Sequence, residues 1–370
     1  MKDNKVNAAP TKEFVIQTIT KDIRIQAAIF DLIDNSINAA EALTNPKRLQ
    51  GYKVELKING AEFQISDNCG GISRDKIFGD ALKIGSSIEY TGGHGIGLKR
   101  AFLKIGKKIE ILSNRPDYSC RIKIDVDKWG KNDNWDINIK EEAFEDNLSQ
   151  GLTIIISNLY EEICKNFSKH KFINELINEI ELRYRYKLQA GFSIEVNKNI
   201  LKPAVINGIK IAESSYESFD GITTKIMLHN NVTSKENGWD IIVNGRVVLE
   251  HDKTEKTLWR KNLIKKGHSY ENFVGEVFIE GENIKKLPIW STKDGIDINS
   301  ETYEKVLNRM YNLVDKYRAP FIKQEVSIQY EKPSDQVQVL KEYFDVTTAK
   351  DVGKRSFEYT YNNVGSNKDN

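Results

Sequence analysis

Three short polar and glycine-rich signatures stand in order within the first hundred residues. They are Asp31-Leu32-Ile33-Asp34-Asn35, Asp67-Asn68-Cys69-Gly70-Gly71 and Gly92-Gly93-His94-Gly95-Ile96-Gly97-Leu98-Lys99. The first puts a carboxylate and an amide one helical turn apart. The second puts an aspartate and a glycine pair at the end of a strand. The third is a glycine loop that carries a lysine into the helix it opens. Each alone is a weak signal, and their order makes them informative together.

The 370 residues suffice for two domains and a tail. Charged residues make up 29% and hydrophobic residues 39%, an ordinary soluble composition. A net charge of +2 argues against a strongly basic, DNA-coating surface but leaves room for a local patch. No apolar run reaches membrane-spanning length, and the N-terminus lacks the apolar core of a signal peptide. Cys69, Cys120 and Cys164 have no metal-ligand spacing, and the histidines are scattered. The cysteines read as reduced thiols, and the chain is expected to be cytoplasmic with no membrane partner.

Apolar periodicity predicts a helix from about Lys21 to Leu43. Ile25, Ile29, Leu32, Ile33, Ser36 and Leu43 share one side, and Asp31, Asp34, Asn35 and Asn38 the other. Alternation predicts strands over Tyr52–Ile58 and Glu62–Ser66, joined by the hairpin signal Asn59-Gly60. A short helix over Arg74–Leu82 should lead into the glycine loop, and a helix should follow at Leu98–Ile105. Further strands are expected over Lys108–Ser113, Ser119–Val126 and Gly151–Ser157, then a helix over Phe172–Leu188 and a strand over Phe192–Val196. A boundary falls near Lys202–Gly208. Beyond it come strands over Lys225–His229, Trp239–Val243, Arg246–Glu250 and Phe273–Glu280, with Asn244-Gly245 as a second hairpin turn. Asn283–Ile296 reads as a loop and Ser300–Tyr317 as a helix capped by Ser300. Lys332–Tyr343 reads as one more helix, and Lys354–Asn370 as a polar tail.

The chemistry of the signatures points one way. Asp31 and Asn35, at i and i+4, project together from a helix. An amide oxygen suits Mg²⁺, and a nearby carboxylate can orient or deprotonate a water attacking a γ-phosphate. The bland alternative is a solvated helix face. Asp67 can accept from an adenine amino group while Gly70 and Gly71 let the backbone approach a flat ring; otherwise this is a turn. The glycine loop can present backbone N–H groups to an anion at a helix N-terminus, with Lys99 adding charge, or it is a surface loop. It lacks the Gly-Lys-Ser/Thr ending of a Walker loop.

With these motifs in order, the chain resembles the GHKL ATPases, named for gyrase, heat-shock chaperone, histidine kinase and MutL, and looks closest to their MORC-like branch. The resemblance covers roughly residues 20–310. It implies an α/β architecture, an α+β two-layer sandwich of the Bergerat ATP-binding fold, followed by a smaller transducer-like α/β domain of ribosomal-protein-type βαβ fold. The implied division is an N-terminal arm (1–20), an ATP-binding domain (21–203), the transducer-like domain (204–325) and a C-terminal helix and tail (326–370). It implies ATP and Mg²⁺ as cofactors. Asp31 takes the place of the catalytic acid and Asn35 that of the Mg²⁺-binding asparagine. Asp67 matches the adenine-reading aspartate, with Gly71 and Ile72 beside the ring. Gly93, His94, Gly95, Ile96, Gly97, Leu98 and Lys99 form the ATP lid, similar to the MORC pattern Gly-x-Gly-Phe-Lys. Thr153 stands near the fourth motif. Trp239–Arg246 looks like the central transducer hairpin, and Pro288–Gly295 like the loop whose lysine, here Lys293, reaches the γ-phosphate. A cation that meets only the γ-phosphate distinguishes ATP from ADP.

Three departures stand out. Asp31 replaces the usual glutamate, which sets the carboxylate back by about one bond, and in-line attack loses up to ~100-fold per ångström of misplacement. Leu152 separates Gly151 from Thr153 where relatives often read Gly-Thr, and Asn38 stands where many carry aspartate. The resemblance thus implies a slow Mg-dependent ATPase that dimerises on ATP binding, exchanging residues 1–20. It would act as a clamp or switch on DNA or a DNA-processing effector, in DNA metabolism or prokaryotic defence. Two basic stretches with interleaved aromatics, Lys256–Lys266 and Arg183-Tyr184-Arg185-Tyr186-Lys187, are candidate phosphate-tracking surfaces. The alternatives are a non-hydrolysing ATP-bound scaffold or an Hsp-type chaperone. A histidine kinase lacks support, having no phospho-acceptor helix.

Overall fold

The computed structural model describes residues 9–45, 48–85, 96–147, 149–206, 208–231, 237–257, 273–290, 293 and 295–331. The first unit opens with helices α1 (Lys12–Lys21) and α2 (Ile25–Leu43), then the hairpin β1 (Lys53–Ile58) and β2 (Glu62–Asp67). Next come the short α3 (Arg74–Lys76), which runs on into a π turn over Ile77–Ala81, and α4 (Gly97–Ile105). Then follow β3 (Gly106–Asn114), β4 (Ser119–Asp125), α5 (Val126–Gly130), β5 (Ile139–Glu142) and β6 (Gly151–Leu159). The unit closes with α6 (Glu161–Phe167), α7 (His170–Arg183), α8 (Arg185–Gln189), β7 (Ser193–Val196) and β8 (Asn199–Ile200). Its sheet runs β5-β4-β3-β6-β2-β1-β7-β8, with β1 and β7 parallel and the remaining pairs antiparallel.

The expected first helix forms as α2, starting at Ile25 rather than Lys21 and ending at Leu43 as expected, and residues 22–24 divide it from the additional helix α1. Ile25, Ile29, Leu32, Ile33 and Ser36 are buried as their periodicity predicts, but Leu43, at the end of α2, is exposed. The other side of α2 is not a solvated face either: Asp31 and Asp34 are buried. Other elements cover that side, and their ion pairs make the burial tolerable. The hairpin at Asn59-Gly60 forms as expected, with Asn59 Oδ1 accepting from the N–H groups of Ala61 (2.8 Å) and Glu62 (3.0 Å). One core joins α2 to the sheet and to α7, through Ile29, Phe30, Ile33, Leu56, Phe63, Ile156 and Leu176.

The second unit contains β9 (Gly208–Glu213), β10 (Glu217–Phe219), β11 (Ile222–Asn231), β12 (Gly238–Val243), β13 (Arg246–Asp252), β14 (Phe273–Gly281) and α9 (Glu301–Glu331). The sheet order is β10-β11-β14-β12-β13, with β9 on β11 and the central pair β12/β14 parallel. The period of two in β12 sets its two faces. Trp239, Ile241 and Val243 join Tyr303, Val306 and Met310 of α9 in a second core. The intervening Asp240 meets α8 instead: Arg185 Nη2 lies 2.8 Å from Asp240 and 2.9 Å from Glu276 of β14, all three buried. Tyr186 also donates to Glu276. This polar joint ties the two units. It corrects one expectation: Tyr184, Arg185 and Lys187 are buried and partnered, so the 183–187 stretch is not a phosphate-tracking surface. Most of Lys256–Lys266, the helix at 332–343 and the tail lie outside the described residues. Ser300 caps α9 as expected, accepting from Tyr303 N at 3.2 Å. Among the described residues no helix is long and apolar enough to cross a membrane.

Candidate nucleotide site

The site is built where α2 meets the ends of β2 and β6. Asp67, the last residue of β2, is half-buried and held by three donors: Ser36 Oγ at 2.7 Å, Cys69 N at 2.9 Å and Leu152 N at 3.1 Å. Burial pushes its carboxyl up from the ordinary range, and the three donors only partly offset that. Ser36, assigned from sequence to the apolar side, therefore orients the candidate adenine reader. No local pattern on α2 reveals this role, because its partner lies 31 residues further along the chain.

The turn after Asp67 needs its glycines. Gly70 and Gly71 have φ of +86° and +66°. Arg115 Nη1 donates to the Gly70 carbonyl at 2.9 Å, and Ile72 N donates to Ser113 Oγ at 2.8 Å, which fixes the turn against β3. Gly151 is needed for contact rather than conformation, since a Cβ there would fall 1.9 Å from the Asp67 carbonyl oxygen. Thr153 lies across from Ser66, their hydroxyls 2.9 Å apart. The fourth motif thus reaches Asp67 through the Leu152 amide.

On α2, Asp31 is buried and Asn35 half-buried. Arg100, in α4, donates through Nη2 to Asp31 Oδ2 at 2.6 Å. Burial pushes the Asp31 carboxyl up, and the charges of Arg100 and Lys293 pull it only partly back. Asp34 is the mirror case. Burial pushes it up, but Arg246, Lys293 and Tyr184 outweigh that and hold it below the ordinary range. Lys293 Nζ lies 3.1 Å from Asp34 Oδ2, Tyr184 Oη donates to Oδ1 at 2.9 Å, and Arg246 pairs with Oδ2. A lysine of the second unit thus docks on the helix that carries Asp31 and Asn35.

Ile96, Gly97, Leu98 and Lys99 open α4, whereas Gly93, His94 and Gly95 lie outside the described residues. Lys99 is buried and donates to the Asp80 carbonyl at 3.4 Å; burial draws its pKa down to about 8. Sequence reasoning assigned no role to Arg100 or Asp34, because their partners are 69 and 212 residues away. A separate cleft of about 1160 Å³ opens between the units and includes Asp34, Asn38, Arg246 and Lys293. Asp31, Asn35, Asp67 and Gly71 do not line it.

Among the described residues, no group of three His, Cys, Asp or Glu side chains could hold a metal by itself. A Mg²⁺ ion takes one or two protein oxygens and fills its shell from phosphates and water, and the amide oxygen of half-buried Asn35 has the chemistry to be one of them.

The first unit thus sets two buried aspartates of α2 and a glycine turn beside a helix packed on a mixed sheet. Residues 23–153 match the family model described as Histidine kinase-, DNA gyrase B-, and HSP90-like ATPase. The match supports a GHKL-type ATPase domain over those residues and, with it, ATP binding. A search of the curated proteins finds no match to the chain.

Proposed function

We propose that the chain is a slow Mg-dependent ATPase of MORC-like kind that dimerises on binding ATP and works as a nucleotide-gated switch in DNA-related processing or prokaryotic defence. The observation that carries this reading is Lys293 of the second unit, bonded to Asp34 one residue from Asn35. A cation so placed can exchange a carboxylate for a γ-phosphate and so couple the two units to nucleotide state. Adenine would be read by Asp67 beside Gly71 and Ile72, with Lys99 near the phosphates. Bound Mg²⁺ would be held by Asn35 and would neutralise phosphate charge. In hydrolysis a water oxygen bonds to the γ-phosphorus as the bond to the bridging oxygen breaks. The electron pair stays on the β-phosphate, and the water proton passes towards Asp31 before release. Asp31 is the catalytic carboxylate in this reading and Lys293 the γ-phosphate contact.

A second reading, a non-hydrolysing ATP-bound scaffold, is favoured by one observation: the short acid is already engaged by Arg100. Phosphate release, with Asp31→Asn as control, separates the two. Light scattering without nucleotide, with ADP and with a non-hydrolysable ATP analogue tests the switch. A monomer that dimerises only with the analogue, and fails to do so as Asn35→Ala or Lys293→Ala, is the expected result. Unchanged mass throughout, with binding confirmed separately, would overturn ATP-gated dimerisation.

A further inference from the structure

Arg100 stands where the helix that follows the glycine loop meets the candidate catalytic carboxylate. It is the fourth residue of α4, and its side chain is only 10% exposed. Nη2 is bonded to Asp31, but Nε is buried and finds no acceptor among the described residues. The two helices are pressed together at this point: a Cβ on Gly97 would lie 3.3 Å from Asp31 Cγ. A buried guanidinium with a spare donor is costly unless another acceptor arrives.

The pairing also matters for Asp31. A carboxylate that accepts a charge-assisted bond from arginine is a weaker base, so the resting pair opposes hydrolysis. A phosphate oxygen cluster is the natural competitor. It carries more charge than a carboxylate, and the guanidinium fork matches it with two parallel donors. Lys293 is placed the same way from the other unit, 3.1 Å from Asp34. Two cations are thus held by aspartates three residues apart on α2.

Resting on the ATP reading above, we propose that Arg100 is a γ-phosphate-binding residue. ATP draws its guanidinium from Asp31 to the terminal phosphate, and this exchange frees Asp31 to orient the attacking water. ADP lacks the terminal phosphate and leaves the Asp31–Arg100 pair closed.

The test is titration calorimetry of the full chain with Mg-ADP and with a Mg-bound non-hydrolysable ATP analogue, alongside phosphate release with ATP. Wild type, Arg100→Ala, Arg100→Lys and Asp31→Asn are compared. Arg100→Ala is expected to weaken the analogue by about ten- to a hundredfold, the scale of one lost charged hydrogen bond, with ADP affinity within about twofold of wild type. Arg100→Lys should recover part of the analogue affinity, keeping charge without the fork. Asp31→Asn should bind the analogue at least as tightly as wild type, because its competitor for Arg100 is weakened, while phosphate release is lost. A purely structural clasp predicts instead that Arg100→Ala and Asp31→Asn weaken both nucleotides alike, and that outcome overturns the proposal. So does unchanged analogue affinity in Arg100→Ala. Should Arg100→Ala fail to fold, Arg100→Lys and Asp31→Asn still give opposite signs for the analogue under exchange and the same sign under a clasp. Wild type binding neither nucleotide would overturn the ATP reading itself, a result distinct from all of these.

Discussion

At the residue scale, the buried charges carry the most testable physics. Burial lowers the Lys99 pKa to about 8, against 10.5 for an unperturbed lysine. Between those values the unfolded chain binds more protons, so stability rises with pH across that window, and the cost of the buried cation is fully present below 8. Lys99→Met is therefore expected to be more stable than wild type at pH 7, by up to about 3 kcal/mol, with the gain fading above about pH 8. Urea melts on either side of that value check this. If Lys99 also meets phosphates, nucleotide affinity should fall over the same rise in pH as the lysine of the empty site loses its proton. Asp31 and Asp67 were legible as acids of the right type at the right spacing. The burial of Asp31 and Asp34 was not, because a helical wheel records which residues share a side and not what covers that side.

At the element scale, the hairpins were the most legible parts. Asn244-Gly245 is a two-residue turn whose φ preferences are local, with φ of +48° and +76°, whereas the connection at Asn59-Gly60 spans residues 59–61 and neither Asn59 nor Gly60 takes a positive φ. The short β5, β9 and β10 and the helix α1 were not anticipated. They are polar segments that pair with or dock on neighbours elsewhere in the chain, and Lys12 of α1 illustrates this by donating to the carbonyls of Trp129 (2.8 Å) and Asn134 (2.5 Å). The strand-end turn at the site depends on close approach. Gly151→Ala should cost about 2–4 kcal/mol and abolish adenine-nucleotide binding, because its Cβ would meet backbone rather than a movable side chain. Gly79→Ala, with nothing within 4 Å of the added carbon, should lie within about 1 kcal/mol of wild type. Thermal melts with a nucleotide-binding assay on both variants would show whether the site needs that contact.

At the scale of the whole molecule, polar links among the described residues that join the units include Arg185 with Asp240 and Glu276, and Asp34 with Arg246 and Lys293. The first is buried at the joint itself. Arg185→Met should destabilise by about 3–5 kcal/mol, since it removes the cation shared by two buried carboxylates. It should also split a single calorimetric transition into two as the second unit loosens from the first. One unbroken transition at wild-type temperature would show that the joint does not depend on this cation. The sequence by itself determined the ordered nucleotide signatures, the two hairpin turns and most of the longer strands and helices, because turn chemistry, periodicity and motif spacing are all local. Only the tertiary structure decided that α2 is buried on its acidic side, that Ser36 and Leu152 hold Asp67, and that Arg100 and Lys293 sit on aspartates of one helix. Each of those pairings joins groups dozens to hundreds of residues apart, and an ion pair buried between packed elements has no signature in the spacing of either partner.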